Sequence, residues 1–119
     1  MSAITRLHPA ARFCDATLHQ GTVYLAGQVA DDANQDIGGQ TRQVLAAIDR
    51  LLGEAGSDKS RILMAQIFLA DMAEFAAMNA VWDEWVSANG KPARATVEAR
   101  LAKPEWKIEI VVTAAAGTR

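Results

Sequence analysis

The nine residues Arg61 to Leu69, RILMAQIFL, are nearly continuous in apolar character. A strand of that kind is stable only where both of its faces are covered. Read with a period of two, Ile62, Met64 and Phe68 face one way and Leu63, Ile67 and Leu69 the other. The flanking segments show what could cover it. Upstream, Ile37, Val44, Leu45, Ile48, Leu51, Leu52 and Ala55 fall on one helical stripe, which Gly56 ends in the position of a C-terminal cap. Downstream, Asp71-Met72-Ala73-Glu74 has capping-box spacing, and Phe75, Met78, Trp82, Trp85 and Val86 recur at helical intervals until Asn89-Gly90.

Two such helices cover one face of a sheet, so the other face of the strand calls for a second subunit. The rest of the sheet comes from the two ends of the chain. Asp15 to His19 and Thr22 to Ala26 form a hairpin around Gln20-Gly21, and Ala93 to Arg100 and Lys107 to Ala114 form two more strands. The order is ββαβαββ, an α+β arrangement in a single domain over residues 1–119.

Charge and composition narrow the function. The net charge of −2 offers no excess of cations for phosphate neutralisation, so nucleic acid is not an expected partner. No window approaches the roughly 20 apolar residues of a membrane span, and the N-terminus has no signal-peptide core, so no membrane association is expected. The single Cys14 cannot form an internal disulfide, which points to a reducing cytoplasm and to a small buried or strand-end role. His8 and His19 are isolated, and there is no HExxH. Asp32-Ala33-Asn34-Gln35-Asp36 begins like a calcium loop, but Ile37 stands where glycine must turn the chain and Gln43 where the bidentate glutamate belongs. No metal is expected. Gly38-Gly39 lacks the phosphate-loop pattern, and no GxSxG elbow is present. Trp82 and Trp85 read as core packing, and Trp106 as packing or an interface.

The last two strands are different. Alternation puts Arg94 and Thr96 on one side of their strand and Ala93, Ala95 and Val97 on the other. In the final strand Ile108, Ile110 and Val112 form one apolar face and Glu109 points away from it. If the helices cover the apolar face, Glu109 lies on the subunit-covered side, where a carboxylate needs a partner or a ligand. An interface ion pair between Arg94 and Glu109, a pair of rim charges, and a ligand site all satisfy this pattern.

The segment GKPARATVEARLAKPEWKIEI resembles the end of the reactive intermediate deaminase (RidA/YjgF) family, in which a P-x-R-x-x-V strand precedes a K/V-x-E-I strand. Leu25-Ala26-Gly27-Gln28 resembles that family's S-G-Q turn, and Phe68-Leu69-Ala70-Asp71 with Phe75 and Met78-Asn79 resembles its strand-to-helix junction. Residues 67–71 and 76–83 are most similar to the YoaB-like branch.

The resemblance implies a mixed six-stranded sheet with two helices on one face, assembled as a chorismate mutase-like homotrimer with clefts between subunits. It also implies hydrolytic deamination of 2-imino acids or their enamine tautomers to 2-keto acids and ammonia, without a cofactor. Arg94 would anchor the substrate carboxylate through paired charge-assisted hydrogen bonds. Glu109 would position water and move a proton as the catalytic group. Gly27, Phe13, Thr96 and Asn79 would complete the substrate-binding set, with Arg94 and Glu109 both leaving the helix-covered layer and meeting in one intersubunit cleft. The chain departs from the family pattern at Ala26, where serine is usual, at Thr96, where cysteine is usual, and at Phe13, where an ungapped count finds tyrosine. A non-catalytic module that binds or senses a small carboxylic acid in the same cleft is the alternative those departures favour.

Overall fold

The computed structural model describes residues 3–117. Its elements are β1 (Thr5–Leu7), β2 (Ala16–His19), β3 (Thr22–Leu25), α1 (Ile37–Glu54), β4 (Ile62–Leu69), α2 (Phe75–Trp85), β5 (Ala93–Glu98) and β6 (Ile108–Ala115). The strands form one mixed sheet in the order β1-β2-β3-β6-β4-β5. Only β4 and β5 pair in parallel, joined through α2. The sixth strand is Thr5–Leu7, which precedes the hairpin read from the sequence and pairs with β2.

Local chemistry accounts for the ends of these elements. Gln20 and Gly21 both have positive φ, the geometry of a two-residue hairpin turn. Asp36 caps α1 by accepting a hydrogen bond from the Gly39 N–H at 2.8 Å. At the other end Gly56 adopts φ +79°, and the N–H groups of Gly56 and Ser57 bond to the carbonyls of Gly53 and Leu52. That pair of bonds is the Schellman arrangement which a left-handed glycine makes possible. Asp71 caps the turn into α2 through the Ala73 N–H, while the Met72 N–H is taken by Glu98 from β5.

Both helices lie on one face of the sheet. Val44, Leu45, Ile48, Leu51 and Leu52 of α1 and Met78, Val81 and Trp82 of α2 share one cluster with Val23, Leu25, Ala65, Ile67, Leu69, Ile108, Ile110 and Val112. Each large apolar side chain there contributes roughly 1.5–3 kcal/mol relative to exposure.

The two-faced reading of β4 needs one correction. Between Ile62 and Met64 the register against β6 shifts, because Ile62 pairs with Ala114 and Met64 with Thr113. This bulge turns Ile62 toward the helices and leaves Leu63 52% exposed, the reverse of strict alternation. Beyond it Ala65, Ile67 and Leu69 face the core, while Met64 and Gln66 stay exposed on the helix-free face. Tyr24, Val97, Ala93 and Ala95 join them there, so that face carries apolar side chains that no described residue covers.

Candidate functional site

Glu109 is placed by its neighbours. Ile108 and Ile110 are fully buried on the helix side, so the residue between them projects from the helix-free face, level with Phe68 on β4. The start of β6 is held by Gln40, a fully buried side chain of α1. Its carbonyl accepts the Lys107 N–H at 2.9 Å, and its amide nitrogen lies 3.1 Å from the carbonyl oxygens of Ala33, Gln35 and Glu105. One side chain thus joins the loop before α1 to the loop before β6.

Gly27 lies directly against Glu109. Gln28 and Ile110 exchange backbone hydrogen bonds of 2.9 and 3.1 Å, which brings the Gly27 backbone over the carboxylate. A Cβ at position 27 would overlap Glu109 Oε2, so the carboxylate can hold this seat only against a residue without a side chain. The Asp15 carbonyl accepts the Ala26 N–H at 2.9 Å, which sets the Phe13-to-Asp15 segment beside the same turn. Phe13 itself is 63% exposed. No described residue forms an ion pair with Glu109.

Arg94, Thr96 and Asn79 form a second group. Parallel pairing sets Arg94 level with Ala65 and Thr96 level with Ile67, both core-facing, so these two side chains lie on the helix side of edge strand β5. There Arg94 Cζ sits 5.1 Å from the Trp82 ring centroid and 5.9 Å from that of Phe75, both on α2. Asn79 lies between them in sequence, one helical turn from each, and so shares their face. Its Oδ1 and the Thr96 Oγ1 are buried without a hydrogen-bond partner. No described residue ion-pairs with Arg94.

Within one chain, therefore, Arg94 and Glu109 project from opposite faces of the sheet. The expectation that both leave the helix-covered layer is corrected for Arg94. Ala93, Ala95 and Val97 look like the buried side of β5 by composition, but the pairing with β4 puts them on the open face. A concavity of about 450 Å³, lined by Glu98, Arg100, Lys103 and Trp106 among others, includes neither Arg94 nor Glu109. The chain thus presents a cation beside unpaired polar atoms on one side of the sheet and a carboxylate against a glycine on the other.

The sequence model of the family described as Endoribonuclease L-PSP matches residues 3–116. The chain belongs to the RidA/YjgF (L-PSP) family. Among its relatives in that family is a RutC family protein of Haemophilus ducreyi, 52% identical over 94% of this chain and 96% of the relative. RutC family protein YoaB of Escherichia coli is 46% identical over 94% and 97%, which supports the YoaB-like branch. The crystal structure of a YjgF-family member from Neisseria meningitidis superposes with a TM-score of 0.96, at 45% identity and 98% coverage of both chains. A putative translation initiation inhibitor from Salmonella typhimurium superposes at 0.88, with 43% identity over 96% and 98%.

Two features of this RidA/YjgF chain escape sequence reasoning. Trp82 reads as core packing and lies in the core, but its ring and that of Phe75 also surround Arg94. Gln40 had a signal, since a polar residue occupies the apolar stripe three after Ile37 and four before Val44.

Proposed function

We propose that this protein hydrolyses 2-imino acids and their enamine tautomers to 2-keto acids and ammonia in clefts between the subunits of a homotrimer. The observation that carries this reading is the split of the two charged groups onto opposite faces of one chain. A face that carries Arg94 and a different face that carries Glu109 can meet by head-to-tail contact between copies, and such contacts form a ring where the rotation closes. The uncovered apolar residues Tyr24, Met64 and Val97 supply the surface that such a ring would bury.

In that cleft the Arg94 guanidinium receives the substrate carboxylate through two parallel hydrogen bonds, and Thr96 and Asn79 meet the atoms beside it. Glu109 of the neighbouring copy accepts a proton from water as the water oxygen bonds to the imine carbon. The C=N π pair takes that proton at nitrogen to give a carbinolamine, whose hydroxyl proton passes through Glu109 to the amine as the C–N bond breaks and the C=O bond forms, so that ammonia leaves with the keto acid. An imine is already electrophilic, so orientation and proton transfer suffice and no cofactor enters the scheme. With a net charge of −2, the chain has no excess of cations for an RNA backbone.

A second reading, carboxylic acid binding without turnover, is favoured by Ala26, which places a methyl group rather than a hydroxyl beside Gly27. The test is a coupled assay in which an amino-acid oxidase or dehydratase supplies fresh imines from a panel of amino acids. The deaminase reading predicts accelerated ammonia release that Arg94→Ala and Glu109→Gln each abolish. Saturable keto-acid binding with no acceleration for any imine would establish the binding module instead.

A further inference from the structure

The reaction as proposed leaves the aromatic residues around Arg94 without a task. Phe75 and Trp82 are seven residues apart on α2, two turns, and their rings bracket the guanidinium at 5.9 and 5.1 Å. Trp82 is only 6% exposed and is itself held. Its ring lies 5.4 Å from that of Trp85 at an interplanar angle of 53°, and the Trp85 indole N–H donates to Asp49 of α1 at 2.9 Å. The support under Arg94 is thus tied across both helices.

A carboxylate partner would occupy the guanidinium N–H groups. Arg94 has no such partner among the described residues. Ring faces attract the cation through their quadrupole and leave its in-plane donors free. A leucine at position 82 would fill much of the same space in the core but would exert no such attraction.

We propose that Trp82, assisted by Phe75, is a positioning residue that fixes the Arg94 guanidinium in the ligand-free protein with its donors available to a substrate carboxylate. This rests on the reading of Arg94 as the carboxylate anchor. The carboxylate does not change during the reaction, so its anchor serves ground state and transition state alike. Loosening it raises KM and leaves kcat largely unchanged.

The test compares Trp82→Leu with Trp82→Phe in the full-length protein. Three quantities are measured: KM and kcat for 2-iminobutanoate, the calorimetric Kd of 2-oxobutanoate, and the Nε–H resonance of Arg94 in ligand-free protein. Trp82→Leu should raise KM and Kd about tenfold with kcat within about threefold, while Trp82→Phe, which keeps a ring face, should recover most of the loss. In Trp82→Leu the Arg94 Nε–H should lose its ring-current shift and gain fast motion, a change that a purely structural role would not produce. Equal Kd values and equal Arg94 resonances in the two variants would overturn the proposal. Should Trp82→Leu not fold, Phe75→Leu serves, since that ring is 38% exposed and lies at the edge of the core. A rise in Kd of about threefold is then expected, and an unchanged Kd overturns the proposal. A wild-type protein that neither hydrolyses imines nor binds keto acids would overturn the anchor reading as well. A competent wild type with an indifferent Trp82→Leu overturns the positioning role alone.

Discussion

Replacing Gly27 with alanine should separate activity from stability. The added Cβ would overlap Glu109 Oε2 and lie 2.9 Å from Cδ and 3.1 Å from Cγ of the same side chain. Carbon atoms in contact prefer about 3.5–4.0 Å, so the carboxylate must withdraw by roughly an ångström. The atoms in the way are the far end of a flexible side chain, so the backbone of β6 need not move. A displacement of that size at a reacting group costs on the order of 100-fold in rate. Gly27 is not among the glycines with positive φ, so alanine fits its backbone and removes freedom from the unfolded chain. That effect stabilises by about 0.4–1 kcal/mol. The imine assay should therefore show kcat reduced about 100-fold, while thermal unfolding of the same preparation shows a melting temperature equal to or above wild type. A kcat within threefold of wild type would refute the claim that the Glu109 carboxylate works from its seat against Gly27.

Other perturbations reach the framework around the site. Gln40→Leu leaves the Lys107 N–H and the carbonyls of Ala33, Gln35 and Glu105 without their partner, so denaturant unfolding should show a loss of about 2–4 kcal/mol. A change below about 0.5 kcal/mol would show that water replaces the side chain. Val97→Lys puts a charge on the open face without touching the core of the chain, and light scattering should then show a smaller species whose imine turnover is lost. Asp58 offers a pH test. Hydrogen bonds from the Ser60 hydroxyl and N–H hold its carboxyl below the usual value of 3.8, so its contribution is complete above that value and is lost as pH falls through the lower, folded one. In Asp58→Asn the stability profile should lose that acid limb, with turnover at neutral pH unchanged.

Local signals made much of this fold legible. Helix α1 announces itself by an apolar stripe and by Gly56, whose left-handed conformation depends only on its neighbours. The direction of Glu109 follows from Ile108 and Ile110, the large apolar residues on either side of it. Strand β5 has no such contrast, since alanines flank Arg94 and only pairing with β4 decides which side is covered. That register is set far away in sequence, so composition alone assigns Arg94 to the wrong face. The bulge at Leu63 is hidden because Ile62, Leu63 and Met64 are all apolar and any phase fits them. Strand β1 is three residues long and exists through its pairing with β2, so no periodicity marks it. At the site, sequence singles out Arg94 and Glu109 as candidates, and strand pairing shows that one chain holds them apart.

Subunit mixing tests the shared cleft most directly. Arg94→Ala and Glu109→Gln are each expected to be inactive. Unfolded together in equal amounts and refolded, they should regain activity, because a cleft between an intact Arg94 and a neighbour's intact Glu109 forms at about one interface in four in a randomly mixed ring. Turnover near a quarter of wild type is the predicted result, with homogeneous refolded controls remaining inactive. Mixtures as inactive as their components, in samples shown to contain mixed oligomers, would contradict a site built from Arg94 of one copy and Glu109 of the next.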